Sequence, residues 1–78
     1  MTVLHRRTIY LVKDLARETG ESVYTVEHYL RRGLLKEFGR GPHTNYRYFN
    51  QKTVNRLKEI QRLRVEGKSL KEIKGLLG

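Results

Sequence analysis

The chain contains no cysteine and only 8 acidic residues among 78. Without cysteine, disulfides, thiolate metal ligands and cysteine nucleophiles are all excluded, and nothing points to an oxidising compartment. Long apolar runs are missing too, so the sequence offers no membrane span and no signal peptide ahead of the fold. It also lacks a phosphate-binding loop, a nucleophile–base pair and a carboxylate pair with a site around it. An enzyme is therefore the least expected class, and neither a cofactor nor a metal is expected.

Positive charge is what the chain has in abundance: 17 Lys and Arg give a formal net charge of +9 and a pI near 10.3. A polyanion is the natural partner, because each phosphate neutralised by Lys or Arg releases condensed counterions. Charge by itself serves equally well to keep a domain in solution. The length sets a second bound. A chain this small forms one domain, 1–78, and buries roughly 60% of the surface its unfolded form exposes, which suits a few helices and tight turns better than a deep catalytic cleft.

Residues 1–8 are short and basic at Arg6 and Arg7, without helical period, and read as a tail, a strand or an arm. From Leu11 onward, Val12, Leu15 and Ala16 fall on one helical face and Gly20 stops the helix. A second helix, 22–32, is capped by Ser22, carries Val23, Val26 and Leu30 as its apolar stripe, and ends at Gly33. Segment 36–48, KEFGRGPHTNYRY, holds Gly39, Gly41 and Pro42, which forbid a helix, and alternates around Tyr46, Arg47 and Tyr48. It reads as a hairpin with a flexible basic tip. A third helix opens at Asn50, with Phe49 and Val54 as a hydrophobic staple, and runs to Gly67. The fourth opens with a Ser69–Glu72 capping box and carries Leu70, Ile73, Leu76 and Leu77 on one side.

On the second helix, Tyr24, His28 and Arg32 lie opposite the apolar stripe, flanked by Thr25 and Arg31. Those groups can hydrogen-bond base edges and phosphates in a major groove, and a helix that follows another across a glycine turn is the one that reads DNA. Without that context the same face would be an ordinary solvated one. TVEHYLRRGLL (25–35), NYRYF (45–49) and RLKEIQRLRVEGKSLKEIKGLL (56–77) follow one another in an order that resembles the MerR family of transcription regulators. The resemblance runs from about Ile9 to Leu77. It implies a mainly α, winged helix-turn-helix fold of four helices, with a two-stranded β wing between the second and third.

For function, the resemblance implies sequence-specific binding of double-stranded DNA in the cytoplasm, on a bacterial or archaeal nucleoid, with helix 22–32 in the major groove and wing 36–48 beside it. Tyr29 would contact the phosphate backbone or brace the helix; Arg40 and Arg47 would contact phosphates or the minor-groove edge; Tyr48 matches the closing tyrosine of the wing. The family commonly has basic residues where this chain has Tyr24 and Glu27, and often tyrosine at His28. A homodimer is expected if a dimerisation helix follows in the full protein, and RNA polymerase is an indirect partner by analogy. Two other readings stand beside this one: an excisionase-like factor that bends DNA in recombination, and a protein-interaction or RNA-binding accessory module.

The residues themselves set further expectations. Glu27 is placed to pair with Arg31 one turn on, in preference to accepting from a cytosine amino group. His28 is expected to make a surface polar contact, having no carboxylate or thiol at ligand spacing. Tyr46 and Tyr48 should pack the wing onto the core, leaving Arg47 to point the other way. Lys52 and Arg56, near the start of the third helix, are further candidate phosphate contacts.

Overall fold

The computed structural model describes residues 9–78; the basic segment 1–8, expected as a tail, strand or arm, lies outside them. Four helices and one hairpin follow in the expected order: α1 (Val12–Thr19), α2 (Val23–Arg31), β1 (Gly39–Arg40), β2 (Arg47–Tyr48), α3 (Gln51–Val65) and α4 (Leu70–Leu77).

Local chemistry explains most of the boundaries. The Asp14 carboxylate, almost fully buried, accepts the Leu11 N–H at 2.9 Å and so closes the start of α1. Gly20 stops α1 in the left-handed region, φ 74°, where a side chain would be strained. Ser22 accepts the Thr25 N–H at the start of α2, Asn50 accepts the Thr53 N–H at the start of α3, and Ser69 and Glu72 form the reciprocal capping box of α4. Burial seals the staple as well, with Phe49 and Val54 both inside the core.

The core gathers Leu15 and Ala16 of α1, Val26 and Tyr29 of α2, Leu34 and Leu35 after it, Phe49 from the wing exit, Val54, Leu57, Ile60 and Leu63 of α3, and Ile73 of α4. Burying each of these large side chains stabilises the fold by about 1.5–3 kcal/mol relative to leaving it exposed. The wing strands pair antiparallel, Gly39 with Tyr48 and Arg40 with Arg47. Beyond them Tyr10 and Phe49 exchange two backbone hydrogen bonds of 2.8 and 2.7 Å, which ties the N-terminal side of α1 to the exit of the wing.

Three apolar residues depart from the expected faces. Val23 is 47% exposed, and α2 instead buries Val26 and Tyr29 with Leu30 half-buried, a turn of about 40° about the helix axis at 100° per residue. The reason is steric economy: Tyr29 offers more area to the core than Val23, which sits at the first helical position. Leu76, expected on the inner side of α4, is 62% exposed, because Ile73 occupies the contact with the core. Tyr46 is 66% exposed and does not pack on the core, since it lies at the rim of the hairpin tip.

Candidate nucleic-acid interface

Turning α2 inward on Val26 and Tyr29 leaves Tyr24, Glu27, His28 and Arg31 as its outer side. Tyr24 is 74% exposed, the most open residue of the helix's aromatic set. Its ring lies parallel to the His28 imidazole one turn on, with 4° between the planes and 6.5 Å between centroids. Together they form an ordered aromatic and hydrogen-bonding ledge. Arg31 and Arg32 follow, both exposed, and neither enters an ion pair among the described residues. Thr25 is half-buried, its hydroxyl accepting from Ser22 Oγ at 3.0 Å within the cap.

The wing is held beside this helix by a contact that spans 20 residues of sequence. Arg47 Nη2 of β2 donates to Glu27 Oε1 of α2. This corrects two expectations: Glu27 does not turn along its own helix to Arg31, and Arg47 does not reach outward unpartnered. Each side chain keeps about a third or less of its exposure, 34% for Glu27 and 28% for Arg47, so folding brings them into a shared, partly shielded site. That site borders a cleft of about 470 Å³ lined by Leu11, Val12, Lys13, Asn45 and Tyr46 as well. Lys13, an exposed cation on the first turn of α1, thus belongs to the same surface. No pattern in the sequence singled it out, because only the return of the wing puts it there.

Within the wing, Arg40 makes a two-pronged pair with Glu37, 2.6 and 3.0 Å, at an exposed position. The pair holds the Glu37 carboxyl below its ordinary range, chiefly through the hydrogen bond from Arg40. Tyr48 is half-buried, and its ring lies across Gly39 and tilts against Phe38, 5.9 Å between centroids. A Cβ on Gly39 would collide with the Tyr48 hydroxyl, so the glycine is what allows the ring to cross the hairpin. The tip is closed by backbone bonds from Gly41 N–H to Tyr46 O and from Asn45 N–H to Gly41 O, with Asn45 at φ 59°.

Two candidate contact residues are committed inward. Tyr29 is 6% exposed, and its ring braces α2 against the core. Burial first, and the neighbouring Glu21 carboxylate second, push its phenol above the ordinary value, with Arg64 opposing. Arg56 donates from Nε to the Leu34 carbonyl at 2.9 Å and from Nη1 to the Leu77 carbonyl at 3.0 Å, fastening the segment after α2 and the end of α4 to α3. Its guanidinium is thereby spent on one loop carbonyl and one orphan carbonyl at the end of α4. Lys52 remains exposed, on the first turn of α3, and lines a shallow cleft of about 230 Å³ with Lys36. Gln61, unremarked in the sequence, donates to the Thr19 carbonyl at 2.7 Å and to Glu21 Oε2 at 2.9 Å, locking the turn between α1 and α2 onto α3.

Two helices across a tight glycine turn, followed by a two-stranded wing salt-bridged to the second helix, define a winged helix-turn-helix domain. The MerR HTH family regulatory protein model matches residues 10–78, and the chain belongs to that family. It is 38% identical over 69 residues to the mercuric resistance operon regulatory protein of Bacillus cereus, covering 88% of this chain and 52% of that one. It is 37% identical over 70 residues to the HTH-type transcriptional regulator SkgA of Caulobacter vibrioides, covering 90% of this chain and 27% of SkgA.

Among solved structures, HiNmlR, a MerR family regulator lacking the sensor domain and bound to promoter DNA, superposes with a TM-score of 0.78 at 35% identity. The match covers 87% of this chain and 51% of that one. The crystal structure of SkgA from Caulobacter crescentus gives a TM-score of 0.78 at 36% identity, over 90% of this chain and 50% of that one. The chain thus spans about half or less of the length of these relatives. The family is one of regulatory proteins rather than enzymes. Among the described residues there is no group of three or more His, Asp or Glu placed to hold a metal, and no helix long and apolar enough to cross a membrane.

Proposed function

We propose that this chain binds double-stranded DNA sequence-specifically, as the DNA-reading part of a MerR-type transcription regulator in the cytoplasm. The observation that carries the reading is the division of α2 into a sealed side, Val26 and Tyr29, and an outer side on which Tyr24 and Arg31 are exposed and His28 half-buried. A groove about 12 Å wide admits such a helix, with Tyr24, His28 and Thr25 toward base edges. Arg31, Arg32, Lys52 and the wing residue Arg40 contribute phosphate contacts, and Lys13 joins them from α1. Tyr29, Tyr48 and Arg56 hold the reading surface in place without touching the duplex.

A relative of the same fold is described bound to promoter DNA, which supports duplex DNA as the partner. In a full-length regulator, a dimerisation helix following this domain would place two such surfaces on a two-fold symmetric site, and RNA polymerase would respond indirectly to the resulting DNA geometry. The test is fluorescence anisotropy with a duplex recovered by selection from a random pool, a scrambled duplex and the corresponding single strand, each at several salt concentrations. Preference for the selected duplex, with affinity falling linearly on a log–log salt plot, is the expected result. Equal affinity for all three probes contradicts the reading.

A further inference from the structure

Glu27 is the one acidic residue in the nine of α2 and lies on the side of the helix that the proposed function turns toward phosphates. Its carboxylate already has a partner, Arg47. The second wing arginine, Arg40, is likewise held, by Glu37, but the two pairs differ in kind. Arg40 and Glu37 are three residues apart on one short stretch of chain, and Arg40 is 48% exposed against 28% for Arg47, so a competing anion and salt loosen that contact more readily. Glu27 and Arg47 join two elements, and Leu11, Val12 and Tyr46 line the same cleft.

A partner fixed by the fold also has a high effective concentration, because no translational freedom is lost when it binds. A phosphate arriving from solution must displace it and then face an unpaired carboxylate at the interface. We propose that Glu27 is a positioning and specificity residue that acts through Arg47. It occupies the Arg47 guanidinium as an internal anion, fixes the wing against α2, and keeps Arg47 from adding a sequence-independent phosphate contact.

The inference rests on the DNA-binding reading. Its physical consequence is a trade. The wild-type wing contributes a neutral Glu27–Arg47 unit, so non-specific affinity is lower than the chain's charge would give, and contacts from α2 carry a larger share of discrimination. Removing the carboxylate's charge frees one arginine for one phosphate, which adds about 0.9 to the steepness of log affinity against log salt. Over the interval from 200 to 50 mM salt, that amounts to roughly a 3.5-fold larger gain in affinity than the wild type shows.

The experiment is salt-dependent anisotropy on selected and scrambled duplexes with wild type, Glu27→Gln, Arg47→Gln and the double variant, each checked for folding by circular dichroism. Glu27→Gln is expected to bind scrambled duplex more tightly, with the steeper slope and a narrowed ratio of selected to scrambled affinity. The Glu27→Gln change should have no effect in the Arg47→Gln background. Three results would each overturn the inference: an unchanged slope, weaker binding to every duplex, or a gain that persists without Arg47, which would mark simple long-range repulsion.

A second readout does not depend on a variant that folds. In the unsubstituted chain the Arg47 Nε–Hε resonance should keep its shift on addition of duplex while those of Arg31 and Arg32 move; a shift of Arg47 with them contradicts the proposal. Failure of the wild-type chain to bind duplex at all would instead count against the proposed function.

Discussion

At the residue scale, the same side-chain type takes opposite roles according to where the fold puts it. Tyr24 and Tyr29 lie five positions apart on one short helix, yet one is 74% exposed and the other 6%. The exposed one, parallel to His28, suits base reading; substitution His28→Ala should therefore change the ranking of bound sequences while leaving the salt slope within error, as a selection repeated with the variant would reveal. Uniform weakening across all sequences would instead assign His28 to the backbone.

Tyr29 gives a pH prediction. Its folded-state value is raised, so the folded chain holds the phenolic proton more tightly than the unfolded chain, whose value lies near 10. The resulting contribution to stability is fully present below the unfolded value. It is lost as pH rises from there through the folded value, because the unfolded chain then binds fewer protons. Thermal unfolding between pH 9 and 11 should show Tyr29→Phe losing less stability than wild type over that window. An identical loss in both would mean that Tyr29 does not couple to folding.

Elements owe their boundaries to local signals and their mutual placement to distant ones. Ser22, Asn50 and the Ser69–Glu72 box each act within three residues, which is why the starts of α2, α3 and α4 were legible in the sequence. The wing and its position between α2 and α3 were legible for a similar reason, since Gly39, Gly41 and Pro42 bar a helix there. The Glu27–Arg47 pair, the Gln61 clamp on Thr19 and Glu21, and the Arg56 clamp on Leu34 and Leu77 span 20 to 42 residues. Periodicity carries no information about such pairs. For the same reason the sequence offered Arg47 and Arg56 as free cations, and the rotation of α2 that exposes Val23 was hidden until Tyr29 could be weighed as a core residue.

Two predictions belong to this scale. Arg56→Ala leaves the Leu34 and Leu77 carbonyls without their partner and should destabilise the domain by about 2 kcal/mol. For a domain of this size that is a fall in melting temperature of roughly 10 °C, measurable by circular dichroism. An unchanged melting temperature would mean the two bonds contribute nothing net. Gly39→Ala places a methyl where the Tyr48 hydroxyl lies and should displace the ring from the hairpin. Duplex affinity should then fall several-fold while the melting temperature stays near that of wild type, since Phe49 and the helical core are untouched; unchanged affinity would remove the wing from the interface.

For the whole molecule, a net charge of +9 on one small domain provides general attraction to a polyanion, but attraction alone does not choose a face. Arg17, Arg40, Arg47 and Arg62 are held by carboxylates and Arg56 by carbonyls, whereas Arg31 and Arg32 at the end of α2, Arg64 of α3 and the lysines make no ion pair among the described residues. What distinguishes α2 is that its two unpaired arginines follow the exposed Tyr24 and its neighbour His28, which bring base-reading groups to the same face.

Backbone amide chemical-shift mapping during titration with a selected duplex tests this most directly. The perturbed signals should cluster at 24–32 on α2, at 39–48 on the wing and near Lys13, with the middle and end of α3 and all of α4 unmoved. Largest perturbations along 58–77 would contradict the account, because they would put the DNA on α3 and α4 in place of the helix assigned to read it.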